Sequence, residues 1–208
     1  MEILSHRGYW LDASEKNQRI AFERSFDLGF GTETDVRDHG SRLVISHDPA
    51  TGSEMSLDDF LDILSDRDLP LAINIKADGL GPAILDTMAK QPLTRWFTFD
   101  MSGPELIRQK AQGLPAFTRQ SEYEPQPVLY DRAQGLWLDG FDGIWFDAEH
   151  VRKLLADGKQ VCVVSPELHG RPPAALWDML EREGLFDTDL MVCTDMPEAL
   201  RARMGDAA

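Results

Sequence analysis

Cysteine is scarce: Cys162 and Cys193 are the only two in 208 residues, and each sits in an apolar segment patterned as a strand. Buried free thiols are the expected reading, and a disulfide-stapled scaffold is excluded. Positive charge is also in short supply, with 21 Lys and Arg against 36 Asp and Glu, a net charge of −15. Nucleic acid and anionic membrane are therefore excluded as main partners, because either needs a concentrated basic surface. No run of eighteen apolar residues occurs, and the opening MEILSHRGYW has neither the basic start nor the apolar stretch of a signal peptide. The expectation is a soluble, cytoplasmic protein without stable membrane insertion. No Gly/Ser/Pro-rich linker or block of like charge divides the chain, so residues 1–208 are expected to form one domain. A hydrophobic content of 42% is enough for a sizeable core.

What is present is a steady alternation of short β-type runs with longer helical patterns, which points to an α/β fold with parallel strands. The expected strands are 2–5, 31–37, 71–76, 96–100, 116–119, 143–147, 160–165 and 190–194. Eight such units close a (β/α)8 TIM barrel, and a doubly wound open sheet is the structural alternative. Helix signals fit between them. Phe22 and Phe26 share a face ahead of Gly29, Ser56 and Asp59 form a capping box, and Pro82 and Pro104 suit first helical turns. Stripes at Val151, Leu154 and Leu155 and at Ala175, Leu176, Met179 and Leu180 mark later helices, with 198–204 the last. The segment 122–135 holds two prolines and is a poor helix. A further β-like run, 42–46, follows a turn signal and should pair with the end of the second strand.

In such a barrel the catalytic groups lie at the C-terminal ends of strands. His6 and Arg7 end the first, Glu33 and Asp35 share a face of the second, His47 follows the extra run, and Asn74 and Lys76 share a face of the third. Side chains two apart in a strand point the same way. Two carboxylates so close repel unless one is protonated or a cation lies between them, and a divalent ion with oxygen ligands is the natural solution. Carboxylates facing solvent, or paired with Arg37, are the other reading. Two histidines beside two cations suit a general acid and base for phosphoryl transfer. His39 and His150 are expected to be solvent-exposed turn or helix residues, and His169 is left unassigned.

The ordered strings Ser5-His6-Arg7-Gly8, Glu33-Thr34-Asp35, Ser46-His47-Asp48-Pro49 and Asn74-Ile75-Lys76 closely resemble the signature of glycerophosphodiester phosphodiesterases, a family of TIM barrels. The closing Val192-Cys193-Thr194-Asp195-Met196-Pro197 looks like that family's last strand and turn. The resemblance implies His6 and His47 as the acid/base pair, Arg7 and Lys76 as phosphate-binding cations, and Glu33, Asp35 and position 74 as ligands of calcium or magnesium. It also implies a small-molecule phosphodiester as substrate, a substrate hydroxyl attacking phosphorus first and water opening the cyclic product.

The chain departs from that family twice. Asn74 stands where the family places a glutamate and the related sphingomyelinase D branch an aspartate; an amide oxygen is a neutral, weaker ligand, which another carboxylate such as Asp100, Glu122 or Glu167 could replace. The segment between His47 and Asn74 is also too short for the small subdomain many members insert there. The polar loops around Arg119, Glu122 and Glu167 are the expected substrate contacts in its place, with Trp137 and Trp145 available for stacking. A hydrolase acting on a lipid-derived or glycan-linked glycerophosphate is the leading expectation. A lyase that stops at the cyclic phosphate and a catalytically weakened barrel that only binds phospho-ligands are the alternatives.

Overall fold

The computed structural model describes residues 1–206. Eight parallel strands wrap into a nearly closed barrel: β1 (Glu2–His6), β2 (Gly31–His39), β4 (Leu71–Ile75), β5 (Trp96–Phe99), β6 (Phe117–Gln120), β7 (Gly135–Leu138), β8 (Gln160–Val164) and β9 (Met191–Thr194). The ninth strand, β3 (Arg42–Ile45), runs antiparallel to the far end of β2, as the turn signal before it implied. Closure is weakest between β5 and β6, which share only the Thr98–Ala116 bridge.

Helices α1 (Arg19–Asp27), α2 (Leu57–Leu64), α3 (Gly81–Met88), α4 (Gly103–Gln112), α5 (Ala148–Ala156), α6 (Ala174–Arg182) and α7 (Pro197–Asp206) surround the sheet. Local chemistry explains their ends. Ser56 accepts from the Asp59 amide while the Asp59 carboxylate reaches back to the Ser56 amide, a complete capping box. Pro82 and Pro104 sit in first turns, where a missing N–H costs nothing. No helix forms between β6 and β7, in keeping with the prolines of that segment.

Alternation along each strand sends one set of side chains inward and the other toward the helices. Inside, Phe97 stacks on Phe117 with centroids 3.6 Å apart and Phe99 on Trp137 at 3.8 Å. With Leu4, Ala72, Cys162 and Cys193 these rings fill the barrel, so Trp137 is core and presents no surface for stacking a substrate. Leu136, Leu138, Val161, Val163 and Val192 pack outward against α5 and α6, and Phe22, Phe60, Leu61, Ile73 and Ile84 form the matching layer on the other side.

The sixth barrel strand is where the sequence reading is corrected. It is Gly135–Leu138, not 143–147. Residues 143–147 form the loop before α5: the Trp145 indole donates to the Asp139 carbonyl, and Asp147 caps α5 by accepting from the His150 amide. His150 is also half-buried, bonded to Gln120, not a free surface residue. Gly135 explains why the strand begins where it does. A Cβ there would lie 2.4 Å from the Gln160 carbonyl oxygen and 2.5 Å from the Phe117 ring, so only glycine lets β7 approach β8. Gly135→Ala is expected to destabilise the protein by about 2 kcal/mol or more, a fall in Tm of roughly 4–8 °C at this chain length, measured by calorimetry.

Candidate active site

The C-terminal ends of β1, β2 and β4 meet on one side of the barrel mouth. Register sets the neighbours: His6 lies opposite Glu33, and Asp35 opposite Asn74. Asp35 is fully buried and is held by Arg7 Nε at 2.9 Å, Lys76 Nζ at 3.1 Å and the Asn17 amide at 2.8 Å. Arg7 reaches it from a left-handed conformation, φ 59°. Side chains adopt that region rarely and at some cost, which the surrounding contacts offset. Gly8 follows in the same region, φ 81°, and a Cβ on it would meet Ala21 at 2.8 Å. This tight turn after β1 aims Arg7 back across β2.

Glu33, 1% exposed, accepts from the Arg7 backbone N–H and from the Asn74 amide, both at 3.2 Å. Burial, and then the neighbouring charge of Asp35, push its carboxyl up to about 7. Burial also works against the charge of Asp35, but the Lys76 and Arg7 cations outweigh it and hold this carboxyl below the usual range. The pair thus separates into one firmly ionised carboxylate and one that exchanges its proton near neutral pH.

His6 is fixed from the opposite side of the chain. Its Nδ1 lies 2.8 Å from Asp195 Oδ1, just beyond β9, while Nε2 faces the mouth 4.0 Å from Glu33 Oε2. With Asp195 ionised, Nδ1 carries the hydrogen and Nε2 presents its lone pair. Asp195 was not among the sequence candidates. Its position immediately after the last strand was the available signal. Asn17, which orients Asp35, lies in a loop and gave none.

The other candidates fall into different places. His47 is about half exposed on the β3–α2 connection, its Nδ1 2.9 Å from Asp48, and among the described residues no hydrogen bond or ion pair ties its side chain to the buried cluster. Glu167 is spent within the protein, accepting from the Ser165 and Thr194 hydroxyls and the Asp195 amide, so it braces Asp195. Glu122 accepts from the Asp142 amide at 2.6 Å and stitches two rim loops together; burial opposes its charge, but this and neighbouring backbone N–H groups hold its carboxyl below the usual value. Arg119 lies on the β6 side of the mouth, paired with Asp100 and Glu124.

Among the described residues no three His, Cys, Asp or Glu side chains converge on a point where an ion could sit. Glu33, Asp35 and Asn74 together still offer hard oxygen donors, and Asn74 Oδ1 is buried with no hydrogen-bond donor. An orphaned amide oxygen beside two carboxylates fits calcium or magnesium, which take such ligands.

Fold and site together define a (β/α)8 barrel whose mouth carries a histidine–carboxylate pair beside two cations and two buried acids. No family model and no curated protein matches the sequence. Solved structures do match the fold. A chain from Galdieria sulphuraria, assigned as a glycerophosphodiester phosphodiesterase, superposes with a TM-score of 0.76 at 17% identity, covering 98% of this chain and 97% of that one. The glycerophosphodiester phosphodiesterase of Agrobacterium tumefaciens gives 0.66 at 17% identity, covering 97% and 99%. A glycerophosphoryl diester phosphodiesterase from Parabacteroides distasonis gives 0.69 at 14%, covering 99% and 86%.

The raised carboxyl of Glu33 has a consequence for stability. Between pH 4.5, the ordinary glutamate value, and about 7, the folded protein keeps a proton that the unfolded chain has lost, so stability falls as pH rises through this window. The loss is on the order of 3 kcal/mol at most. Glu33→Gln should flatten this slope in denaturant melts at pH 4.5–7.5; an unchanged slope would show that Glu33 ionises without cost.

Proposed function

We propose that this chain is a phosphodiesterase that cleaves a glycerophosphodiester-like substrate with His6 and His47 as the acid/base pair. The observation that carries the reading is the Asp195–His6 pair set beside Arg7, Lys76, Glu33 and Asp35 at one barrel mouth. The similarity in fold to solved glycerophosphodiester phosphodiesterases supports it.

In this reading the phosphate binds at the ends of β1 and β4, where Arg7 and Lys76 supply positive charge to its non-bridging oxygens. His6 Nε2 accepts the proton of the attacking hydroxyl, and Asp195 steadies the resulting imidazolium. His47 stands on the solvent side and donates a proton to the leaving alcohol. Its exposure suits it to exchange that proton with water in the next half-reaction, when the roles reverse and water opens a cyclic product. Glu33, Asp35 and Asn74 would hold calcium or magnesium, which would add charge neutralisation at the phosphate.

The protein with calcium or magnesium should turn over a panel of glycerophosphodiesters, followed by phosphorus NMR. His6→Ala and His47→Ala should each lower kcat by about 10²–10⁴-fold. Two variants as active as the parent would remove this mechanism, and a cyclic phosphate as end product would make the enzyme a lyase.

The metal assignment has its own readout. Asn74→Glu adds a third carboxylate and should tighten calcium binding at least about tenfold in a calorimetric titration. Binding unchanged by this substitution would place the ion, if it binds, elsewhere.

A further inference from the structure

The opposite side of the same mouth holds a second histidine–carboxylate pair that the mechanism above does not use. Asp139 follows β7 and His169 lies in the turn after β8, with His169 Nε2 2.7 Å from Asp139 Oδ1. The Asp139 side chain is 8% exposed, and burial pushes its carboxyl up.

Asp139 is held as firmly as the groups of the reacting centre. Its N–H donates to Gln120, its carbonyl accepts from the Trp145 indole, and its Oδ1 also accepts from the Gly140 N–H at 2.8 Å. The loop that follows is clamped from both sides, by Glu122 through the Asp142 amide and by Arg171 on the Gly140 carbonyl. A buried acid fixed by this many contacts costs stability, and such positions mark functional sites.

Two groups in this pair are left open. Among the described residues nothing hydrogen-bonds Asp139 Oδ2 or His169 Nδ1, the second polar atom of each side chain. The neighbouring Arg119 lies over the Phe141 ring, which packs against His169, and it is already neutralised by Asp100 and Glu124. Beside Arg119 a cavity of about 390 Å³ opens between α4 and the β6–β7 loop; Asp100, Arg119, Tyr123 and Glu124 line it and Asp139 and His169 do not, so it borders the pair only by way of Arg119. This half of the mouth therefore offers hydrogen-bond acceptors and a cation outnumbered by its acids, where the other half sets two cations, Arg7 and Lys76, against the one carboxylate they share, Asp35.

From this geometry we infer that Asp139 and His169 form the subsite for the leaving alcohol, and that this alcohol is neutral and hydroxyl-rich, a polyol or sugar. One hydroxyl donates to Asp139 Oδ2 and a neighbouring one bonds His169 Nδ1. A site that hydrogen-bonds a substrate hydroxyl rejects the analogue that lacks it, because polar groups that the ligand cuts off from water are then left unpaired. The inference rests on the phosphodiesterase reading for the word leaving, but binding at the subsite can be read without turnover.

The test compares three glycerophosphodiesters on the full protein: the sorbitol ester, the ethyl ester and the choline ester. The sorbitol ester should be preferred over the ethyl ester by at least about tenfold in kcat/KM. Asp139→Asn and His169→Gln should each reduce that preference to within about threefold of unity. In parallel, free sorbitol should shift the His169 imidazole signals in an NMR titration of the parent, and Asp139→Asn should abolish the shift. Preference for the choline ester would overturn the inference in favour of a cationic alcohol. Equal loss on all three esters would overturn it by making the pair a packing element, and His169→Gln, on a half-exposed turn, reads this even if Asp139→Asn unfolds. If none of the esters is turned over but sorbitol still shifts His169, the phosphodiesterase reading fails and the subsite stands; turnover with no shift and no preference does the reverse.

Discussion

Asp35 is a carboxylate with no exposed surface, and much of the mouth is organised by the need to compensate its charge. An isolated ion in that position would be untenable, and removing one partner of such a buried group typically costs about 3–5 kcal/mol. Three separate segments meet the requirement: Arg7 from the end of β1, Asn17 from the loop before α1, and Lys76 from the end of β4. Arg7 can do so only by adopting a left-handed backbone, and Gly8 must follow because nothing larger fits against Ala21. The turn that carries His6 and Arg7 is thus shaped by the acid it faces.

That compensation separates the two neighbouring carboxylates. Asp35 takes both cations and stays ionised, while Glu33, left with an amide and a backbone N–H, is pushed up to about 7. In the resembled family a glutamate stands at position 74 and raises the negative charge of this cluster. Here Asn74 instead donates to Glu33. The local charge is nearly balanced by the protein's own side chains, so an ion bound here meets weaker ligands than three carboxylates would provide.

The mouth is built twice, with unlike contents. On the β1–β2–β4 side, Arg7 and Lys76 share the single carboxylate Asp35 and stand with the Asp195–His6 pair, which suits a phosphate. On the β6–β8 side, Arg119 is neutralised and the Asp139–His169 pair offers acceptors. Closure brings these halves together despite the thin seam at β5 and β6, where stacked rings, Phe97 on Phe117, hold the strands more than backbone pairing does. The rim is correspondingly cross-braced, Glu167 steadying Asp195 and Glu122 with Arg171 steadying the loop of Asp139.

The sequence by itself determined the barrel class, the eightfold repeat, the capping box at Ser56 and the placement of Glu33 with Asp35 and of Asn74 with Lys76. These follow from periods of 2 and 3.6 and from cap chemistry, which act over a few residues. It placed the sixth strand at 143–147 and not at Gly135–Leu138, both being short apolar runs with a glycine. The choice falls to the fit of Gly135 against β8 and to the bond from Trp145 to Asp139. Only the tertiary structure decided which groups meet: Asp195 with His6 across nearly the whole chain, Asn17 with Asp35, and Asp139 with His169. Such pairs depend on strand register and barrel closure, which bring residues together independently of their separation in sequence, and local patterns carry no record of that.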